Sequence, residues 1–183
     1  MKNSAAFLFL SILLISCTSP PNVTLVKKDQ SLTSYVNTFI GTGGHGHTYP
    51  GATMPFGMVQ LSPDTRLDGW DGCSGYHYSH HYMYGFSHTH LSGTGVSDYG
   101  DILVMPTNEI NFNNGADGEA GYGSKFSHDN EEASPGFYKV HLDDTDIDVS
   151  LTVTERAGFH KYEYPSAENQ IAILDLIHRD KVL

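Results

Sequence analysis

Val149, Leu151 and Val153 alternate with Ser150, Thr152 and Thr154. This period of two marks a strand with one face buried and the other wet. Four strand-like runs follow one another in this part of the chain: Phe137–Leu142, Asp148–Thr154, Phe159–Tyr164 and Gln170–Ile177. The last is apolar on both faces, which predicts a central strand. Their separators are short and rich in turn residues: Asp143-Asp144-Thr145-Asp146, Arg156-Ala157-Gly158 and Pro165-Ser166-Ala167-Glu168-Asn169. Upstream, Phe56–Leu61 reads as a further strand, closed by Ser62-Pro63-Asp64. Strands spaced about 8–12 residues apart, with no amphipathic helical pattern, predict an all-β fold. The expected architecture is an antiparallel β-sandwich with long loops rich in glycine and aromatic residues.

Two stretches break this pattern. Residues 41–55 contain five glycines and two prolines, which no regular element accommodates. Residues 62–100 form a long glycine-broken region, too aromatic to be disordered. The N-terminus differs again. Met1-Lys2 precedes an apolar run, Ala5 to Ile15, that is too short to span a bilayer comfortably. The run ends in Leu14-Ile15-Ser16-Cys17, which resembles the lipobox of bacterial lipoproteins. Residues 1–16 are then a signal peptide, Cys17 the lipidated first residue, 17–34 a tether and 35–183 the folded domain. Acyl chains on Cys17 would hold the protein on a membrane of the bacterial cell envelope without a spanning helix. An ordinary secretory signal and a short membrane anchor are the alternatives.

Charge narrows the partners. Ten Lys and Arg stand against 21 Asp and Glu, a formal net charge of −11. Such a surface repels nucleic-acid phosphates and anionic membrane faces. With Cys17 lipidated, Cys73 is the remaining thiol, so no internal disulfide forms.

The candidate chemistry lies in Gly69–Tyr78 and Gly85–Gly95, which hold the single Trp of the chain and, with the residues between them, five histidines. Flat aromatics beside short polar groups and carboxylates suit a sugar, which has an apolar ring face and a rim of hydroxyls. Trp70, between Gly69 and Asp71, is badly placed for a core residue and well placed for stacking. His77, His80, His81, His88 and His90 have no standard zinc spacing, and orienting loops or hydrogen-bonding a ligand is the simpler role for them. Asp98 and Asp101 could pair as acid and base, but two carboxylates in an acidic chain more often cap turns. Cys73 lacks the surroundings of a thiol nucleophile. Gly41–Gly46 has neither a following helix nor the Lys of a phosphate loop.

Longer motifs carry a resemblance. Tyr35–Thr42, His47–Ala52, Pro55–Thr65, Gly69-Trp70-Asp71, Ser74-Gly75-Tyr76, Gly85–Gly95 and Gly100-Asp101-Ile102 resemble the N-terminal domain of glycoside hydrolase family 92. Ser134–Tyr138, Glu155–His160 and Ile173–Leu176 continue the match in order. The resemblance implies an exo-acting, calcium-dependent α-mannosidase that inverts the anomeric centre. It implies a β-sandwich followed by an α/α barrel, with the active site between them. An inverting reaction uses an acid and a base about 6.5–9.5 Å apart, with a water at the base. In the family both carboxylates and the calcium ligands come from the barrel, so no catalytic or metal-binding residue is expected within this chain. The sandwich lends loops to the pocket for a mannose-containing glycan. Trp70 and Asp71 lie in the motif that does so, and His88 or His90 is expected to bond sugar hydroxyls. The sequence ends at Leu183, before any barrel. The expectation is the N-terminal portion of such an enzyme, inactive alone and with its sandwich incomplete. A stand-alone carbohydrate-binding lipoprotein and a metal-binding surface protein are the competing readings.

Overall fold

The computed structural model describes residues 31–93 and 95–179. The expected signal peptide and the expected lipidation site, Cys17, lie outside these residues. Eleven strands form the framework: β1 (Ala52–Thr53), β2 (Gln60–Asp64), β3 (Tyr82–Met83), β4 (Gly85–Ser87), β5 (Leu103–Thr107), β6 (Ser124–Lys125), β7 (Glu131–Ser134), β8 (Phe137–Leu142), β9 (Ile147–Val153), β10 (Gly158–Glu163) and β11 (Ile171–Asp175). Helical structure among the described residues is limited to the 3-10 turns Leu32–Tyr35, Trp70–Gly72 and His128–Asn130.

A five-stranded sheet has the order β1-β2-β4-β5-β11, and a four-stranded sheet the order β10-β9-β8-β7. Strands β3 and β6 pair separately. The neighbours are antiparallel throughout. The period of two explains the second sheet directly. Tyr138, Val140 and Leu142 of β8 and Ile147, Val149, Leu151 and Val153 of β9 all point inward. Register sets them opposite one another, as Tyr138 with Leu151, Val140 with Val149 and Leu142 with Ile147. These side chains join Leu61, Phe86, Leu103, Met105 and Ile173 of the first sheet in one buried cluster. The two sheets therefore pack face to face as a β-sandwich. At the β7–β8 corner, Pro135 and Gly136 make a two-residue turn, with Gly136 at φ +79° where a side chain would be strained.

Three expectations need correction. The strand expected at Phe56–Leu61 begins at Gln60 and continues through Ser62-Pro63-Asp64. Pro63 is accommodated there because the ladder to β1 pairs only Gln60 and Leu61. Residues 54–57 instead form a turn, closed by Gly57 N–H donating to Met54 C=O at 2.9 Å. The region 62–100 is not continuous loop, since β3 and β4 lie inside it. The run Gln170–Ile177 is not a central strand. Its core, β11, pairs only with β5 and forms an edge of the five-stranded sheet, with Ile173 as its buried residue. An apolar run on both faces identifies a strand but not its neighbours.

The edge has a consequence. Leu174 is 60% exposed and Ile177 72%, and both line one groove with Phe112 and Leu176. Exposed apolar edges promote pairing between chains. The 183-residue chain should therefore self-associate as its concentration rises, and Leu174→Lys should reduce this. Light scattering checks it, and a parent chain that stays monodisperse at high concentration would contradict the expectation.

Candidate functional site

The loops of the first sheet are organised by one buried carboxylate. Asp64, at the end of β2, accepts hydrogen bonds from the Ser87 backbone N–H at 3.2 Å and from the Ser87 hydroxyl. His90 Nε2 lies 3.2 Å from Asp64 Oδ1, and its Nδ1 donates to the Gln60 carbonyl at 2.8 Å. Burial works to raise the Asp64 carboxyl. The adjacent His90, by charge and hydrogen bond, together with His178 and the Ser87 bond, outweighs this and holds it below the ordinary carboxylate value. Ser87, His90 and Asp64 do not form a nucleophilic triad. Ser87 and Asp64 share the same ring nitrogen of His90, Ser87 Oγ gives its proton to Asp64, and all three side chains are buried.

Asp64 also determines where the aromatic loop starts. Gly75 packs on it so closely that a Cβ there would lie 2.2 Å from Oδ1. The Gly75 carbonyl accepts from Thr65 N–H at 2.8 Å and Arg66 N–H at 3.0 Å, which closes the loop 66–75 at its base. The 3-10 turn Trp70–Gly72 stands at its tip. Gly69 enters it at φ +73°, and the Arg66 stem fills the space beneath Gly72, where a Cβ would be 2.9 Å from Cγ.

Three loops converge at this tip. Trp70 is 63% exposed and meets the His47 ring edge-on, with centroids 5.0 Å apart. The six-membered ring of the indole also lies against Gly95, where a Cβ would come within 2.0 Å of Cη2. Asp71 Oδ1 accepts from His45 Nδ1 at 2.9 Å. That hydrogen bond lowers the Asp71 carboxyl, partial desolvation opposes it, and the charges of His45, Arg66 and His77 add to the lowering. Asp71 is therefore ionised at neutral pH and acts as an acceptor only. The loop that supplies His45 and His47 is held by Tyr78 N–H donating to the Thr42 carbonyl at 2.8 Å, and by His77 Nε2 donating to the Gly44 carbonyl at 3.0 Å. Gly93 N–H donates to the His47 carbonyl at 2.6 Å.

The four sequence candidates thus separate. Trp70 and Asp71 sit together on an open rim. His90 is buried with both ring nitrogens engaged, so it supports the loops and does not reach a sugar. His88 Nδ1 donates to the Ile102 carbonyl at 2.7 Å, and its Nε2 lies 3.1 Å from His160 Nε2. Both of its nitrogens are likewise engaged. His80 donates to the Thr65 carbonyl at 2.7 Å, and His81 packs against Phe126 and His128. Asp98 accepts from the adjacent Tyr99 N–H as a local turn cap, whereas Asp101 accepts from the hydroxyl of Thr89, twelve residues upstream. Cys73 is buried, with Sγ directed at the Gly69 carbonyl. The sequence reading missed His45, His47 and Arg66. The local signal for the first two is the glycine- and histidine-rich segment 41–47, which no regular element accommodates.

The His88–His160 contact joins the two sheets of the sandwich. The Tyr162 hydroxyl donates to His160 Nδ1 at 2.7 Å, leaving the His160 Nε2–H to donate to His88 Nε2. His88 directs its Nδ1 to the Ile102 carbonyl, so its Nε2 is placed to accept this bond. Burial, and then the neighbouring His88, push His160 down to about 4 from 6.5. Between those pH values the unfolded chain binds a proton that the folded one refuses, so stability falls as pH falls, by about 2–3 kcal/mol from this residue. Asp64 acts lower down. Its contribution is present above the ordinary carboxylate value and is lost as pH drops below it. Melting temperatures taken from pH 7 to pH 4 should decline, and His160→Gln should flatten that decline; an equal slope in the variant would contradict the assignment.

Residues 35–182 match the model of the glycosyl hydrolase family 92 N-terminal domain. A family GH92 α-mannosidase from Bacteroides thetaiotaomicron, solved in complex with mannoimidazole, is 44% identical with a TM-score of 0.76, and the match covers 81% of this chain and 20% of that one. An inverting family GH92 mannosidase from the same organism is 30% identical with a TM-score of 0.66, covering 80% of this chain and 20% of that one. An uncharacterised secreted glycosidase from Arthroderma benhamiae is 30% identical over 134 residues, which is 72% of this chain and 17% of the relative. The chain thus spans about a fifth of the length of these relatives.

Proposed function

The chain belongs to glycosyl hydrolase family 92 through its N-terminal domain, and from that premise we propose that it forms one wall of a mannose pocket. The observation that carries the reading is the rim on which the exposed Trp70 indole stands beside the ionised Asp71. The indole offers a flat apolar surface to a sugar ring, and Asp71 accepts hydrogen bonds from the hydroxyls at its edge. His45 and Arg66 hold the carboxylate in place and keep it charged.

The reaction this wall serves is hydrolysis of an α-mannoside at a chain end, with inversion. Its acid and base, separated by room for a water, belong to the part of a family 92 protein beyond this chain. Calcium is assigned there too. Among the described residues no three His, Cys, Asp or Glu side chains are grouped so as to hold a metal ion. The role of this chain is to bind and orient the sugar, which converts binding energy into alignment at the reacting bond.

In a full-length family 92 protein carrying this domain, Trp70→Ala should lower kcat/KM for an aryl α-mannoside by about 10²-fold or more, roughly 3 kcal/mol. Its melting curve should barely move, because the ring is mostly exposed. Full activity with a collapsed melting temperature would mean that Trp70 is a packing residue, whose truncation costs about 3–5 kcal/mol of stability.

The protein is further proposed to be held on the bacterial cell envelope by lipid on Cys17. The support is the apolar run that stops at Leu14-Ile15-Ser16, immediately before it. No helix among the described residues is long and apolar enough to cross a membrane. Cys17→Ser should abolish incorporation of radiolabelled lipid, and normal labelling of that variant would overturn the anchor.

A further inference from the structure

The Trp70–Gly72 turn is tied to a residue from the far end of the fold. Arg179, four residues beyond β11, reaches back across the first sheet. Its Nη2 donates to the Gly72 carbonyl at 2.5 Å, and its Nε donates to the Ser97 hydroxyl at 2.9 Å. The stem of the same side chain runs past Gly100, where a Cβ would stand 3.2 Å from Cδ. One guanidinium therefore bridges two loops. They are the same loops that enclose Trp70: its own turn, and the segment that begins at Gly95, on which the indole rests.

This arrangement suits a geometric role. Gly72 C=O also accepts the Gly75 N–H at 2.9 Å, so both of its lone pairs have a fixed donor. The two acceptors of Arg179 are neutral, so the contact reads position more than charge. A guanidinium presents its donors in a rigid plane, and two donors on one plane fix the separation of the groups they bind. Lysine has one mobile ammonium at the end of a flexible stem and cannot reproduce that spacing. The Trp70 ring lies against the second of these loops, since an added Cβ at Gly95 would already enter the indole.

We propose that Arg179 is the positioning residue for Trp70. It locks the Trp70–Gly72 turn to the 95–100 loop and so fixes the angle at which the indole faces a bound sugar. The sugar-facing part of this role rests on the mannose-pocket reading; the locking itself does not.

Trp70 is the single Trp of the 183-residue chain, so its fluorescence reports on this turn alone. The test is time-resolved fluorescence anisotropy of the dilute chain without sugar, beside a melting curve for each variant. Arg179→Ala is expected to melt cooperatively and to show a larger fast component in the Trp70 decay. Arg179→Lys is expected to restore only part of the parent's slow decay, because the ammonium satisfies one loop at a time. A cooperatively melting Arg179→Ala chain whose decay matches the parent overturns the proposal. If Arg179→Ala fails to melt cooperatively, Ser97→Ala decides in its place. That variant removes one of the two bonds on an exposed loop, and it should loosen the indole in the same direction; an unchanged decay overturns the proposal. Should Trp70→Ala leave mannosidase activity intact while Arg179→Ala frees the ring, the lock stands and the mannose reading falls.

Discussion

The architecture depends on keeping one carboxylate out of water. Asp64 is fully buried, and an unpaired charge there would cost several kcal/mol. Its partners come from three places: the Ser87 N–H and hydroxyl on β4, the His90 ring in the loop beyond, and, more distantly, the charge of His178 after β11. Satisfying Asp64 therefore draws β2, β4 and the loop that follows β4 together. Gly75 must lie directly on the carboxylate, which closes the aromatic loop and leaves Trp70 at its tip. A buried requirement in the sheet thus dictates the position of an exposed group some way from it.

The remaining polar interior repeats the strategy on a second front. Glu131, at the start of β7, accepts from the Tyr76 hydroxyl at 2.9 Å, the Tyr138 hydroxyl at 2.5 Å and His128 Nδ1 at 2.6 Å. Tyr76 belongs to the aromatic loop and Tyr138 to β8, so this carboxylate fastens that loop to the other sheet. The His88–His160 contact makes a further bridge between the sheets, where burial keeps the His160 ring neutral. Histidines and carboxylates that look like chemistry in the sequence are largely spent on holding loops in place. At the tip of the aromatic loop the Trp70 indole stays exposed beside the Asp71 carboxylate. That division suits the proposed sugar-binding wall, because orientation is worth most when the orienting group does not itself move.

The sequence by itself determined the sheet that obeys simple periodicity. Strand β8 falls at Phe137–Leu142 as its alternation predicts, and β9 and β10 differ from the expected runs by one residue at each end. Alternation suffices there because each strand is followed by a short turn and pairs with its neighbour in the chain, so local pattern and tertiary partner coincide. It also placed Trp70 and Asp71 in an irregular, exposed loop, since glycines on either side leave no regular element to bury them. Only the tertiary structure decided the rest. Strand β5, interrupted by Pro106, takes its identity from pairing with β11 some seventy residues later, and the apolar run in β11 became an edge because the pairing left it one neighbour. His88 and His90 read like ligand groups in a Gly-rich motif, yet their ring nitrogens are consumed by Ile102, His160, Gln60 and Asp64. His45 and Arg179 reach the Trp70 turn from two segments distant in the chain. No local pattern encodes such contacts, because a hydrogen bond between distant residues exists only after the sheets have brought their loops to one place.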